Sequence, residues 1–501
     1  MNRSLSEDAR SAPETERTTR VEVLVVGAGF AGIGAAMALH RGGTDDVLVI
    51  ERAASIGGTW RDNTYPGVAC DVPSHLYGFS AHPNPDWTHV YARGSEIRSY
   101  LEQVAAREGI RPEFDTALVG ARWDDESETW RIRTAGPRLD EIEADVLVLA
   151  CGRLTEPSIP DLPGLSSFPG PIFHSSRWDH SADLSGRRVA VVGTGASAVQ
   201  LTPVLAESAD VTLFQRTPAW IVPRGDRPYS ATEQTAFAGD PLLLEELRDD
   251  LYLEGEARHA SRSGDAQAAA EARAVALAHL EAQVPDAALR RALTPDYAFG
   301  CKRVLLSDDF YPALASGRVR LEASALAGAS GRTLVAASGA RHEVDALVLA
   351  TGFASTRQPY ASLVTGERDT LADHWHRGMT AFASTVVAGF PNLFVLDGPN
   401  AALGHNSSVL MLEEQAAYLA RTVAGRDGVL RVDPAAEAEW TAEIDRAAAS
   451  TPWITGGCRN WYVDDRSGRL TLLWPGTVDA FRQRLRNADG SEFLQTVKEG
   501  M

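Results

Sequence analysis

The sequence predicts an α/β protein made of two copies of one nucleotide-binding design, with a helical insertion in the second. Three observations carry this. Glycine-rich stretches at 27–32 and 193–198 each follow a short β-branched run and precede a helix-compatible segment. The runs DVLVLACG at 145–152 and DALVLATG at 345–352 are nearly identical, and each comes after one of the glycine motifs. Between the second motif and its closing run, residues 225–296 abandon the strand–helix rhythm for Ala-, Leu-, Glu- and Arg-rich sequence. Short, fully apolar runs suit parallel strands covered on both faces. The expectation is therefore two Rossmann-like, dinucleotide-binding domains.

In the first unit, 21–26 (VEVLVV) reads as a strand, 33–41 as a helix and 47–50 as a second strand ending at Glu51. The intervening G-x-G-x-x-G assigns a role to each glycine. Gly27 permits the tight turn, Gly29 lets the backbone approach a pyrophosphate at the helix N-terminus, and Gly32 allows close helix–strand packing. The Glu51 carboxylate can accept hydrogen bonds from ribose hydroxyls. Next comes G-x-W-x-x-x-x-Y-P-G-x-x-x-D, with Gly58, Trp60, Tyr65, Pro66, Gly67 and Asp71. Trp60 and Tyr65 offer flat surfaces to a ring system, and Asp71 follows a rigid Pro-Gly turn. Thr59, and Tyr77 from the aromatic-rich stretch 74–87, join the candidate cofactor contacts; core packing accounts for most of the other aromatics there. Residues 96–107 read as a helix, and 128–134 with 138–144 as a strand pair.

In the second unit, 187–192 is a strand, 193–198 is G-x-G-x-x-A with Gly193, Gly195 and Ala198, and 211–214 is the next strand. Its end carries Gln215, Arg216 and Thr217 where the first unit has an acid. An acid there repels a 2′-phosphate, whereas Arg216 binds it, so this unit favours NADPH over NADH. Helices are expected over 242–253 and 266–282, either as a lid or as filler. Lys302 and Arg303 follow at the return to strand–helix sequence. A helix is expected over 408–420, entered through the glycine-bearing stretches 389–394 and 398–407.

The chain has 501 residues, 44% hydrophobic and 23% charged, as in ordinary globular proteins. Its net charge of −19 disfavours nucleic acid and anionic membrane as partners. No apolar run reaches the length of a membrane span. Residues 1–20 read as a disordered tail without the apolar core of a signal peptide, so a cytoplasmic location is expected. The four cysteines, Cys70, Cys151, Cys301 and Cys458, form no C-x-x-C. Each reads as a small core residue in a reducing compartment, and no metal site is indicated.

Residues 168–179 hold F-x-G-x-x-x-H-x-x-x-W-D: Phe168, Gly170, His174, Trp178 and Asp179. This resembles the fingerprint of type I Baeyer–Villiger monooxygenases, the class B flavoprotein monooxygenases. The motif at 58–71 and the D-x-x-V-x-A-T-G-F run at 345–353 are similar to further segments of that family. The resemblance runs from about residue 21 to about 486 and is weakest across the insertion. One departure is Ala69, where many relatives carry arginine.

The resemblance implies FAD on the first unit and NADPH on the second. It places the FAD-binding domain at 21–155 and 355–501, the NADPH-binding domain at 156–224 and 297–354, and the insertion at 225–296. It makes Lys302 a neighbour of the NADPH phosphate and Arg303 the active-site arginine, oriented by Asp71. His174 and Trp178 would sit in the hinge coupling the domains. The implied reaction takes an organic substrate and O2, and inserts one oxygen atom beside a ketone carbonyl through a flavin peroxide, giving an ester or lactone. The alternative is oxygenation of an amine or sulfide nitrogen or sulfur through the hydroperoxyflavin. A disulfide reductase would lack its C-x-x-C here, and a non-catalytic flavin-binding sensor would leave Arg303 without a role.

Overall fold

The computed structural model describes residues 18–494. Its first sheet is organised around strand Thr18–Val26, which pairs in parallel with Val47–Ile50 on one side and Glu141–Leu149 on the other. Val23, Leu24 and Val25 are fully buried, which is why this run has no polar alternation near its end. Glu141–Leu149 is long enough to take two partners on its far edge. Thr129–Ala135 runs antiparallel along its start, and Leu393–Val395, from the C-terminal third, runs parallel along its end. Ala117–Asp124 and then Val364–Thr365 complete the sheet. It thus gathers strands from both ends of the chain.

The second sheet is all parallel, in the order Val319–Glu322, Asp210–Phe214, Arg188–Val192, Ala346–Leu349, Ile172–His174. All its strands come from between the two halves of the first sheet, so the second unit is inserted in the first. Helix Phe30–Arg41 packs its buried face on Ser408–Ala424, and Val478–Arg486 lies against the latter.

Three expectations change. Thr18, Thr19 and Arg20 are not tail but strand, paired with Glu141, Ile142 and Glu143; Arg20 also ion-pairs with Asp145 at 3.0 Å. The rest of the expected tail lies outside the described residues. The insertion holds more helix than 242–253 and 266–282: Ala231–Gly239, Pro241–Ala257, Ala266–Gln283 and Ala287–Leu293. Ser230, Asp240, Asp265 and Asp286 each accept a hydrogen bond from a first-turn N–H, so every one of these helices starts at a proper N-cap. Finally, Cys301 and Cys458 are joined in a disulfide, whereas Cys70 and Cys151 remain free. The pair is 157 residues apart. It meets because Ala298 N–H donates to Gly456 O at 2.9 Å and lays the two segments together.

The insertion is fastened to the first unit by several side chains. Arg248 Nη1 donates to His75 O at 3.1 Å and Tyr252 Oη to Asp479 at 2.7 Å. Glu256 accepts from Asn406 Nδ2 at 3.0 Å and from Val478 N–H at 3.1 Å. Gly255 is needed for this seating, since a Cβ there would lie 2.4 Å from Asn406 Cγ. Among the described residues no helix is long and apolar enough to cross a membrane, and no His/Cys/Asp/Glu cluster could hold a metal.

Candidate active site

The C-terminal ends of the central strands of both sheets open on one cavity of about 1220 Å³. That exceeds the roughly 300–1,000 Å³ usual for one small ligand. The two cradles along it are built alike. Gly27 has φ +112° and Gly193 φ +119°; a Cβ would lie 2.5 Å from Ala150 O at the first and 2.3 Å from Ala350 O at the second. This explains the repeated closing runs, because each brings a strand-end carbonyl against the first glycine of its motif. A Cβ on Gly32 would lie 1.8 Å from Gly27 O, whereas Ala198 carries one in the equivalent place while fully buried. Gly195 has nothing within 4 Å of its absent Cβ, and Gly29 faces only the backbone of Gly58 at 3.6 Å. Helices Phe30–Arg41 and Ala196–Leu205 begin at these glycines with no side-chain cap and no acid in the first turn. Their N-terminal N–H groups are thus left for an anion, as a dinucleotide pyrophosphate requires.

Glu51, 5% exposed, is held by Ala28 N–H, Ala53 N–H (both 2.9 Å) and Arg61 (3.0 Å), with its carboxylate on the cavity wall. Gly58, at φ +51°, opens the short helix Thr59–Asp62 beside Gly29. Trp60 Nε1 donates to Tyr77 Oη at 3.3 Å, and Tyr77 packs on Phe30. Tyr65 also reaches the cavity wall, though packed closely. It is 6% exposed in the core of the second unit, its hydroxyl donating to Gln200 Oε1 at 2.9 Å.

Asp71 and Arg303 meet in a bidentate pair, Nε to Oδ2 at 2.7 Å and Nη2 to Oδ1 at 2.8 Å. Their side chains stay 24% and 29% exposed, and both line the cavity. Burial is the largest influence on Asp71 and pushes its carboxyl up. Arg303, by charge and hydrogen bonding, and Arg224 outweigh it and hold Asp71 below the ordinary carboxylate range. The charge of Asp71 is in turn the main reason Arg303 is held more firmly protonated than an ordinary arginine. At the end of strand Asp210–Phe214, Arg216 is exposed, and Lys302 Nζ donates to Thr217 Oγ1 at 2.5 Å. Burial first, then Arg216, lowers the Lys302 pKa, so two cations face the same space.

The 168–179 segment becomes the edge strand Ile172–His174, pairing with Leu347–Leu349. Gly170 is required there, since a Cβ would meet Asp345 O at 2.2 Å and the Phe168 ring at 2.7 Å. Phe168 is buried, and Trp178 lies edge-on to Phe173 at 4.9 Å. Asp179 caps the following turn, accepting from Ser181 N–H at 2.9 Å and Ser181 Oγ at 2.6 Å. The segment reaches the first unit through His180 and Thr64, 2.8 Å apart, and through Arg177 and Asp62, 3.9 Å apart.

Two residues not singled out above hold the site together, Gln200 across the seam between the units and Arg153 within the first unit. Gln200 Nε2 donates to Ala69 O at 2.9 Å, closing a second bond across the seam. Its signal was an amide in a helix whose other polar residues are only Ser197 and Thr202. Arg153, directly after the first closing run, ion-pairs with Asp397; burial lowers its pKa to about 10.

His174 (3% exposed) and His75 (7%) are buried, and burial is the main cause lowering each to about 4. Both are neutral in the folded protein, whereas an unfolded histidine titrates near 6.5. The unfolded chain therefore takes up protons first as pH falls, and stability drops between about pH 6.5 and 4. The limit is roughly 3 kcal/mol per histidine. The melting temperature should fall steadily across that window; a flat profile down to pH 4.5 contradicts this account.

The fold and the cavity define a protein with two dinucleotide cradles sharing one reaction space. Residues 24–232, which carry both glycine motifs, match the family described as pyridine nucleotide-disulphide oxidoreductase. A Baeyer–Villiger monooxygenase of Streptomyces coelicolor is 45% identical over 94% of this chain and 92% of its own. Among solved structures, cyclohexanone monooxygenase from Rhodococcus sp. Phi1 bound to NADP+ superposes with a TM-score of 0.83 at 27% identity, over 95% of this chain and 99% of that one. OTEMO in complex with FAD and NADP gives a TM-score of 0.82 at 26% identity, over 95% and 100%. The chain belongs to the Baeyer–Villiger monooxygenase family.

Proposed function

We infer that Arg303 and Asp71 serve the oxygen-transfer half of a Baeyer–Villiger oxidation. This is the FAD- and NADPH-dependent insertion of one oxygen atom of O2 beside a ketone carbonyl, giving an ester or lactone. The observation carrying this is the bidentate Arg303–Asp71 pair at the wall of a cavity shared by two uncapped helix N-termini. Bound FAD and NADPH supply hydride transfer and dioxygen activation. Gly27, Gly29, Gly32, Glu51, Gly58, Thr59, Trp60 and Tyr77 hold the flavin nucleotide. Gly193, Gly195, Ala198, Arg216, Thr217 and Lys302 hold the nicotinamide nucleotide. Arg303 presents a fixed positive charge where negative charge develops on oxygen, and Asp71 sets the plane of the guanidinium. The segment Phe168, Gly170, His174, Trp178 and Asp179 acts as the hinge, a role supported by its links to both units.

The same reading takes the FAD-binding domain as 21–155 and 355–501, the NADPH-binding domain as 156–224 and 297–354, and the insertion as 225–296. It takes the site of action as the cytoplasm and nucleic acid as no partner, in keeping with the net charge.

Product analysis with paired substrates tests the reaction. A ketone should give ester or lactone with NADPH consumed in step, while an amine or thioether of similar shape is oxygenated less. A ketone left untouched while the amine or thioether is oxygenated rejects the proposal in favour of heteroatom chemistry. For the nicotinamide site, Arg216→Ala should raise the NADPH KM roughly tenfold or more and leave that for NADH nearly unchanged. A charge-assisted bond to phosphate contributes about 1.5–3 kcal/mol. An unaltered NADPH KM contradicts it.

A further inference from the structure

We propose that Arg224 and Tyr462 are positioning residues for the Asp71–Arg303 pair, one supporting each end of a charge-alternating row. This rests on the assignment of that pair to oxygen transfer. Arg303 spends one whole edge of its guanidinium, Nε and Nη2, on Asp71. A planar group held along one edge can still rock about it, so further contacts decide where its other face points.

On the carboxylate side stands Arg224, just beyond strand Ile221–Val222. Its Nη2 donates to Cys70 O at 2.8 Å, the carbonyl immediately before Asp71. Its guanidinium lies 5.0 Å from the Tyr91 ring centroid. Its backbone N–H and that of Gly225 donate to the two oxygens of Asp308 at 3.0 and 2.8 Å, which fixes the turn. Among the described residues no carboxylate lies within ion-pair distance of Arg224, and its Nε is buried without a partner. A half-buried guanidinium with a buried Nε is best tolerated where some negative charge offsets it. Asp71 is that charge, and Arg224 acts on it in the same sense as Arg303. Cys70, Tyr65, Tyr77 and Tyr91 also bear on this region; burial pushes each upward, so they stay neutral, while the like charges of Arg153 and Arg262 press on Arg303 from outside the row.

On the guanidinium side stands Tyr462, 1% exposed, its buried hydroxyl short of good hydrogen-bond geometry to any partner, with Arg303 the group that reaches it. The ring packs with Ala402, Trp453 and Leu473 and against Trp461 at 4.3 Å. Asn460 Oδ1 accepts from the backbone N–H groups of Tyr462 and Val463 at 3.0 and 3.2 Å, which locks the loop. Arg303 is the foremost cation bearing on the phenol, followed by Arg262, with Arg153 beyond, so a hydroxyl able to accept a guanidinium N–H is left beside Arg303. The Cys301–Cys458 disulfide independently ties the loop that carries Tyr462 to the turn that carries Arg303. The row therefore runs Arg224, Asp71, Arg303, Tyr462, with each charge flanked by its opposite or by a dipole. It takes its members from the inserted unit, the first unit and the C-terminal loop.

Two measurements test it, the first on cofactor-free protein. Tyr462→Phe and Arg224→Met should each lower the melting temperature by about 1–3 °C. Those losses should vanish in Arg303→Ala and Asp71→Asn backgrounds respectively, as coupled neighbours require. Strictly additive losses overturn the proposal. The second uses holoenzyme and reads ester formed per NADPH consumed. That ratio should fall roughly tenfold in both variants, because misplacing a catalytic group by about 1 Å costs on the order of 10²-fold. The KM for ketone should be unmoved, and Arg224→Lys should recover most of the ratio. Arg303→Ala measured alongside separates the two levels. If it keeps a full ester yield, the parent assignment has failed. If it loses ester while Tyr462→Phe and Arg224→Met keep the wild-type ratio, the positioning proposal alone has failed. A fall in yield matched by lost FAD marks a merely structural role and also overturns it.

Discussion

Arg303→Ala protein should still be reduced by NADPH, yet form ester or lactone roughly 10²–10³-fold more slowly, the usual cost of removing one preorganised group at a developing oxyanion. The two halves separate because the residues differ. In the proposed assignment, hydride delivery depends on the cradles at Gly27–Gly32 and Gly193–Ala198 and on Arg216 and Lys302, none of which touches the Arg303–Asp71 pair through a hydrogen bond. Arg303→Lys should not restore the rate, because a lysine cannot reproduce the fork that meets Asp71 at 2.7 and 2.8 Å. Asp71→Asn should fall between, keeping a hydrogen-bond acceptor for Arg303 but losing the charge that keeps the guanidinium in place. Stopped-flow absorbance reports the reduction, and chromatography of the products reports the transfer. Ester formation within tenfold of wild type in Arg303→Ala would remove this residue from the chemistry.

Gly32→Ala should yield protein without bound flavin, or none that stays in solution. The added Cβ would sit 1.8 Å from Gly27 O, its place fixed by the helix backbone and that of the oxygen by the turn that shapes the first glycine cradle. No side-chain rotation relieves that contact. Either the helix Phe30–Arg41 backs away from strand Thr18–Val26 or the turn at Gly27 opens. Overpacking of this kind costs about 1–3 kcal/mol and often more when backbone must move. Ala198 supplies the control. It already occupies the equivalent position in the second unit at 0% exposure, so Ala198→Gly should leave nucleotide binding nearly intact. The ratio of visible to ultraviolet absorbance of purified Gly32→Ala protein decides the matter. A yellow protein with full flavin content would show that the first cradle has slack that its geometry denies.

The nucleotide units were legible because their requirements are local. A positive φ at Gly27 or Gly193, a run of buried β-branched residues and an acid or arginine at a strand end leave marks within about thirty residues of each other. The repeated closing runs were legible as a pattern, and the structure supplies their reason in the carbonyls of Ala150 and Ala350. The insertion was recognisable from alanine-rich composition, but its extent was not. Two of its helices carry little amphipathic signal, and they are held by N-caps and by contacts such as Glu256 to Val478 that no periodicity announces.

By itself, the sequence determined that the chain holds two dinucleotide cradles, and that the second ends in Arg216 where the first ends in Glu51; that one unit is inserted in the other was implied by the resemblance and decided by the strands 364–365 and 393–395 that return to the first sheet. Only the tertiary structure decided which distant groups meet. Asp71 and Arg303, 232 residues apart, close a bidentate pair that the family resemblance suggested but no spacing could. Cys301 and Cys458 are bonded rather than free, and Tyr65 at the cavity wall is packed into the neighbouring core. Local backbone demands are written in adjacent residues. Pairing across hundreds of residues is set by how the sheets pack and where their loops emerge, and only the assembled cores fix that.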